Sequence, residues 1–294
     1  MPPNPITPIQ RKAKNPMTVT EIAAPKRDRW GRYLLPDPET GDDRAWTRVT
    51  TVANTMADRW GLERWAKRNV ALGLAAREDL YALAASCKPG DKQELNRIVS
   101  DAEEAAKAKR GANLGTALHR ITERIDRGED LDVPEQWRPD IDAYCQTLVD
   151  HHVQVHAEWI ERIVVIPSIG VAGTLDRLVT VDRATTYMVA DLKTGKDAPK
   201  YVNETAIQLA LYANATYVWN GDGYDPMPAI DTDSALLIHL PAAEGQCSLH
   251  QIDIRAGKQA AKLALDVRDW RKRRDLASSY ELGKEQRPQD PDDW

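Results

Sequence analysis

Two aspartates and a lysine are spaced in a way that predicts a divalent-metal site. Asp191 and Lys193 stand two residues apart in the β-like run 186–195, and Asp176 lies in the β-like run 170–181 just before it. Side chains alternate between the two faces of a strand, so Asp191 and Lys193 are expected to share one face. At any odd spacing the lysine would leave the face of the carboxylate.

The turn between these two runs decides where Asp176 lies. If the hairpin folds symmetrically between Arg183 and Ala184, Asp176 is directly opposite Asp191, at a Cβ separation of roughly 5 Å where like charges repel. A bound cation would remove this repulsion, and for that reason the pair indicates a binding site. A one-residue slip in the turn would send Asp176 to the opposite face.

The predicted chemistry is metal-assisted hydrolysis of a phosphodiester. A hard cation such as Mg²⁺ prefers carboxylate and carbonyl oxygens, and the two aspartates together with the backbone carbonyl of Leu192 would supply them. Coordination lowers the pKa of a bound water and screens negative charge that develops on phosphorus. Lys193 could orient the attacking water or neutralise charge in the transition state. Asp-x-Lys alone is common and usually a surface ion pair, so the motif gains weight from Asp176 at hairpin distance.

A further candidate ligand, His119, lies in the helical segment 114–125. An apolar stripe at helical spacing packs this segment on the core, and it consists of Leu114, Leu118, Ile121 and Ile125. Gly115, His119 and Glu123 follow one another on the adjacent row. Two interpretations stay open, because His119 and Glu123 could be an exposed helical pair or His119 could bind the metal. Gly115 costs the helix about 1 kcal/mol relative to alanine, which close approach to backbone or ligand would explain.

The helix after the Lys193 strand carries two polar candidates, Gln208 and Tyr212, on one row. Gln208 could hold a water or a phosphate and Tyr212 could contact the DNA backbone. Alternatively, the two form a polar helix edge with an aromatic ring packed on the sheet. Lys196 and Lys200, in the loop before this helix, suit phosphate contacts or are simply solvated.

Bulk properties exclude several classes of protein. The 294 residues can form one large core with additions or two modest domains. The net charge of −5 gives no global signature of nucleic-acid binding, which depends on local positive potential. No Gly-rich phosphate loop and no Gly-x-Ser-x-Gly motif is present, which argues against ATP hydrolysis and serine chemistry. No apolar run could cross a bilayer and no signal peptide is visible, so we expect a cytoplasmic protein without membrane contact.

The order of elements predicts an α/β fold with a mixed central β-sheet flanked by helices and an N-terminal helical extension. A short β-rich segment is predicted over 30–51. Helices are predicted over 58–86, 91–127, 139–152, 204–219 and 256–277. Strands are predicted over 155–166, 170–181, 186–193, 234–240 and 247–254. The domains that we predict are a flexible basic arm (1–28), a mainly helical N-terminal lobe (29–110), a catalytic core (111–280) and an acidic tail (281–294).

Four motifs, taken in order, resemble one known family. They are Gly115-x-x-x-His119, Gly173-Thr-Leu-Asp176, Asp191-Leu-Lys193-Thr-Gly and Gln208-x-x-x-Tyr212. Their order is similar to the RecB-type branch of the PD-(D/E)XK nucleases, and most similar to the stand-alone RecB-like exonucleases encoded by phages. The resemblance covers about residues 110–255.

The resemblance implies a restriction-endonuclease-like core and a metal-dependent exonuclease that acts on linear or single-stranded DNA ends in recombination, replication or repair. The implied ligands of Mg²⁺ or Mn²⁺ are His119, Asp176 and Asp191. The implied catalytic lysine is Lys193, with Gln208 and Tyr212 as supporting residues. Glu161 lies where such enzymes often carry an acid. If the chain is phage-encoded, it would work in the host cytoplasm.

Two alternatives to an exonuclease stay open. One is a structure-selective endonuclease of the flap type, and the other is a non-catalytic DNA-binding protein that retains the nuclease fold. Some relatives hold an iron–sulfur cluster with four cysteines, but the scattered Cys87, Cys145 and Cys247 cannot supply that ligation, so we expect no cluster. A homo-oligomer and a recombination or single-strand-binding partner are both compatible with the resemblance.

Overall fold

The computed structural model describes residue 22, residues 24–108 and residues 110–280. Most of the predicted basic arm (1–28) and all of the predicted acidic tail (281–294) lie outside the described residues. The described residues form eleven strands and eight helices, joined by turns and short 3₁₀ segments. Among these helices, none combines the length and the apolar character that a membrane span requires.

The strands fall mainly in the second half of the chain, after an N-terminal hairpin. They are β1 (Tyr33–Pro36), β2 (Asp43–Arg48), β3 (Val153–Val155), β4 (Arg162–Ile166), β5 (Val171–Leu175), β6 (Arg177–Val181), β7 (Met188–Lys193), β8 (Tyr217–Trp219), β9 (Tyr224–Pro226), β10 (Ser234–His239) and β11 (Ser248–Asp253). The helices are α1 (Val49–Ala53), α2 (Trp60–Ala76), α3 (Glu78–Ser86), α4 (Lys92–Ala105), α5 (Arg110–Asp126), α6 (Arg138–Asp150), α7 (Asn203–Ala213) and α8 (Ile254–Trp270).

The strands form two mixed sheets, which confirms the α/β class and corrects the expectation of one central sheet. The six-stranded sheet has the order β1-β2-β5-β4-β8-β9 and the five-stranded sheet has the order β11-β10-β7-β6-β3. The strand pairs β2–β5 and β7–β10 are parallel, whereas the other pairs are antiparallel. The chain crosses between the sheets at Asp176, where the run predicted as one strand divides into β5 and β6.

The five-stranded sheet is buried on both faces. Along β10, Ala235 and Leu237 pack in the cluster that contains α7 and α8, whereas Leu236 and Ile238 pack in the cluster that contains α5 and α6. Burial on both faces explains why β7 and β10 are apolar runs rather than alternating ones. These two helical layers bring α5 and α7, which carry the candidate site residues, to the strand that carries Asp191.

Several predicted element boundaries differ from the structure. The helix predicted over 204–219 ends at Ala213, because the aromatic and β-branched residues Tyr217–Trp219 form β8 instead and pair with β4 and β9. Within the range predicted as the N-terminal lobe (29–110), β2 pairs with β5 and α1 is buried in the main core. The helical lobe consists of α2, α3 and α4, which pack around Leu80, Ile98 and Ala102.

Candidate active site

The strand register brings the two predicted aspartates together. In the β6–β7 pair, Arg177 is opposite Ala190 and Leu178 is opposite Val189, so the next position places Asp176 opposite Asp191. This register confirms the symmetric hairpin that the sequence predicted. The Leu192 amide also donates a hydrogen bond of 2.7 Å to Asp176 Oδ2, which fixes the Asp176 carboxylate against β7.

Asp191 and Lys193 share one face of β7, as their spacing predicted. Lys193 Nζ lies 2.7 Å from Asp191 Oδ2, and the Lys193 side chain keeps 34% of its surface exposed while that of Asp191 keeps 6%. Gln208 Nε2 donates a hydrogen bond of 3.3 Å to Asp191 Oδ1 from α7. Asp191 Oδ2 is buried, and the Lys193 ammonium is its ion-pair partner. A carboxylate oxygen has two lone pairs and can accept from a donor and bind a cation as well.

The two aspartates have different electrostatic surroundings. Burial acts to raise the pKa of Asp176, but Arg177, then His119 and the Leu192 amide, outweigh it and hold that pKa below its ordinary value. Burial raises the pKa of Asp191 above its ordinary value, Lys193 opposes this effect, and the charge of Asp176 adds to it. The Asp191 carboxylate is therefore the less stable of the two charges until a cation balances it.

Helix α5 brings His119 and Glu123 to the same place. One ligand atom from each of His119, Glu123 and Asp176 lies within 4.8 Å of the other two. This grouping favours the interpretation of His119 as a member of the site over that of an exposed helical pair. Gly115, one turn earlier, contacts Thr194 directly after β7, and a Cβ there would overlap the Thr194 hydroxyl. The close approach that Gly115 was expected to permit is therefore present, and it is made to the side chain of Thr194.

A buried arginine, which the sequence analysis missed, links Asp176 to helices α5 and α6. Arg177 is fully buried; its Nη2 lies 3.3 Å from Asp176 Oδ1 and its Nη1 donates hydrogen bonds of 2.8 Å to Asp126 Oδ2 and 2.6 Å to the Tyr144 hydroxyl. Tyr144 in turn donates to Asp126 Oδ2 at 2.7 Å. The neighbouring carboxylates and Tyr144 keep the pKa of Arg177 above its already high value despite burial. Its adjacency to Asp176 was the available signal, but nothing in the spacing revealed partners on α5 and α6.

Glu161 lies at the edge of the same acidic group. Its backbone amide donates to the carbonyl of Asp176 at 2.9 Å, and its φ is 55°. Burial of the carboxyl, followed by the charges of Asp176 and Glu123, raises the pKa of Glu161 to about 8. The residue as a whole remains exposed, so water screens part of this repulsion. Glu161 is thus close enough to the site for the charges of Asp176 and Glu123 to raise its pKa.

The three residues that were predicted to contact DNA lie in different environments. Lys196 lies 3.3 Å from Glu244 and Lys200 lies 2.7 Å from Asp197; both lysines are largely exposed on the loop that follows β7. Tyr212 is only 2% exposed and belongs to the main core. Its predicted contact with DNA is wrong, because a ring packed against Gly173 cannot reach a ligand outside the fold. The role of the Leu192 carbonyl stays a prediction, whereas its amide has the partner described above.

The donor set fits a hard divalent cation. The buried carboxylate of Asp176, the imidazole of His119 and the carboxylate of Glu123 converge, and the register places the buried Asp191 opposite Asp176. Oxygen-rich sets of this kind suit Mg²⁺ or Mn²⁺, and none of the three cysteines belongs to the group. No protein-family model matches the chain, and no curated protein matches it significantly.

Proposed function

We propose that this chain is a Mg²⁺- or Mn²⁺-dependent deoxyribonuclease with a restriction-endonuclease-like core, which hydrolyses phosphodiester bonds from DNA ends. The observation that carries the proposal is the juxtaposition of the buried Asp176 and Asp191, with His119 and Glu123 next to Asp176 and Lys193 paired with Asp191 at 2.7 Å. The assignment to DNA ends rests on the resemblance to stand-alone RecB-like exonucleases. It gains support from the four motifs, each of which contributes a residue near this site: His119, Asp176, Asp191 and Gln208.

Asp176, Asp191 and His119 would hold the cation, with the Leu192 carbonyl and Glu123 as further oxygen ligands. When bound, the cation supplies a water of lowered pKa and positive charge next to the phosphate. The hydrogen bond from Gln208 to Asp191 fixes the orientation of that carboxylate. Arg177 and the Leu192 amide do the same for Asp176, so both ligands are oriented before the substrate arrives.

Lys193 is the residue that would contact the reacting atoms. Its ammonium is partly exposed and is held on the Asp191 side of β7 by the 2.7 Å ion pair. From there it can donate a hydrogen bond to the attacking water or to a phosphate oxygen, and it balances the negative charge that accumulates in the transition state. Asp191 therefore has two roles, since it would bind the cation and it positions Lys193.

Cleavage of end-labelled DNA tests the proposal. Wild-type protein should degrade linear DNA with Mg²⁺ or Mn²⁺, be inactive in EDTA, and spare covalently closed circles. Asp191→Asn should abolish this activity, and Lys193→Ala should lower kcat by roughly 100- to 1,000-fold, as expected for loss of one transition-state donor. The controls Asp79→Asn and Lys258→Ala, which change exposed residues outside the site, should cleave normally.

Thermal unfolding gives an independent readout of the cation. A metal at a hundredfold excess over its Kd stabilises the protein by about 2.7 kcal/mol, so Tm should rise for wild type and stay constant for Asp191→Asn. Cleavage without metal, or full activity in both site variants, would overturn the proposal. Cleavage of closed circles would keep the metal chemistry and replace the exonuclease by an endonuclease.

A further inference from the structure

A basic groove lies away from the candidate active site, at the opposite end of β5. It has a volume of about 780 Å³ and is formed by β2, the start of β5, the loop before it and the end of α8. None of the candidate metal ligands lines it. The charged residues that line it are Arg32, Arg44, Arg48, Arg268, Asp269 and Lys272.

The positive charge of this groove is only partly balanced by the protein. Arg32 and Arg44 pair with Asp28 and Asp37, and Lys272 pairs with Asp269. Arg48 and Arg268 have no carboxylate partner among the residues that the structure describes, although both are half-buried. A half-buried guanidinium without an anion is costly, so these two arginines indicate an anionic ligand. The chain as a whole carries a net charge of −5, which makes the positive potential local.

Trp30 contributes an aromatic surface to the same groove. Its side chain is 62% exposed, and the guanidinium carbons of Arg29 and Arg32 lie 4.0 Å and 5.0 Å from the ring centroid. The contact with Arg32, which itself lines the groove, holds that guanidinium group at the side of the groove. The groove thus combines fixed arginines with an exposed aromatic, the combination that proteins use to follow a nucleic-acid strand.

We propose that the basic groove binds the sugar–phosphate backbone of DNA several nucleotides away from the scissile bond. Guanidinium groups bind phosphates in a bidentate manner and carry no sequence preference, so the contact would be independent of base sequence. The five residue steps along β5 from Val171 to Asp176 span about 17 Å. At about 3.4 Å per nucleotide this distance corresponds to about five nucleotides. The identity of the ligand as DNA rests on the proposed nuclease function.

DNA binding in EDTA tests the groove separately from cleavage. The full chain, Arg48→Ala, Arg268→Ala and the double variant are compared by fluorescence anisotropy on single-stranded and blunt duplex DNA of equal length. The double variant should bind more weakly on all sequences, and the slope of log K against log[salt] should fall by about two. Arg255→Ala is the matched control, because Arg255 lies on the same helix, at the end away from the groove. Arg48→Lys, which keeps the charge, should retain the salt slope.

The outcomes separate this inference from the proposed function. A double variant with the affinity and salt slope of Arg255→Ala, on both forms of DNA, overturns the groove as a binding surface. A loss on only one form supports the groove and identifies that form as its ligand. Groove-dependent binding without metal-dependent cleavage would leave the groove intact and remove the nuclease proposal. In a cleavage assay the double variant should raise KM for long substrates, leave kcat unchanged, and have little effect on oligonucleotides too short to reach the groove.

Discussion

At the scale of single residues, the two candidate metal-binding aspartates differ in how firmly they are held. Asp176 receives a hydrogen bond from the Leu192 amide and an ion pair from buried Arg177, whereas Asp191 has a longer hydrogen bond from Gln208 and an ion pair with the partly exposed Lys193. Burial and the charge of Asp176 nevertheless outweigh Lys193 and keep the pKa of Asp191 raised, while that of Asp176 is lowered. A bound cation would therefore stabilise the charge of Asp191 more than that of Asp176.

Arg177 carries the largest residue-scale prediction for stability. Arg177→Met leaves the nearly buried carboxylates of Asp126 and Asp176 without their cation, so the free energy of unfolding should fall by about 3–5 kcal/mol. Urea unfolding in EDTA measures this change without a metal contribution. Arg183→Met, an exposed arginine in the turn of the same hairpin, should stay within about 0.5 kcal/mol of wild type. Equal stability of the two variants would show that the buried network contributes little.

The sequence was sufficient to predict the two aspartates and the lysine of the site, but it did not reveal the buried network around Arg177. Asp176, Asp191 and Lys193 could be predicted because strand alternation and turn symmetry fix relations over a few residues. The Arg177 network could not be predicted, since the partners of Arg177 lie on helices α5 (Asp126) and α6 (Tyr144), 51 and 33 residues away in sequence. The two interpretations of Tyr212 stayed open for a related reason, because a helical row shows which residues are neighbours and leaves open whether they face solvent; its burial favours the ring packed on the sheet.

At the scale of elements, the division of one predicted strand into β5 and β6 has the largest consequence. The run 170–181 has no proline or turn signal at Asp176, so its sequence predicts a continuous strand. Pairing of β5 with β2 and β4, and of β6 with β3 and β7, pulls the two halves into different sheets. Asp176 stands at this crossing, opposite Asp191 in the β6–β7 register, where its carboxylate accepts a hydrogen bond from the Leu192 amide.

The contact between α5 and the end of β7 yields an element-scale prediction. A Cβ at position 115 would overlap the Thr194 hydroxyl, so Gly115→Ala should destabilise the protein despite a gain in helix propensity of about 1 kcal/mol. In a Thr194→Ala background the overlap disappears, and Gly115→Ala should then stabilise the protein. Urea unfolding in EDTA of wild type, the two single variants and the double variant gives the coupling energy between the two positions, which we expect to be at least about 1 kcal/mol. Additive effects would mean that α5 shifts freely along β7, and the position of His119 would then need another explanation.

At the scale of the whole molecule, the described residues pack into separate hydrophobic clusters. The clusters around β7 contain α1 and α5–α8, whereas α2, α3 and α4 share a small one of their own. The apolar sequences of these segments predicted helices and strands well, but amphipathic periodicity does not identify which cluster a helix joins. The sequence therefore did not reveal that β2, within the range predicted as the N-terminal lobe, pairs with β5, or that α1 is buried in the main core.

The separate cluster of α2, α3 and α4 predicts that this lobe can unfold without the active site. Gly73 packs on the backbone of Ala102, so Gly73→Ala should force α2 and α4 apart and destabilise the lobe by roughly 1–3 kcal/mol. Hydrogen exchange should then accelerate in α2–α4 and stay unchanged in β5–β7, and the rise in Tm with Mg²⁺ should persist. Gly61→Ala, at an open position of the same helix, should slow exchange in α2, because alanine favours the helix by about 1 kcal/mol. Equal loss of protection in β5–β7 for Gly73→Ala would instead make the lobe and the site one cooperative unit.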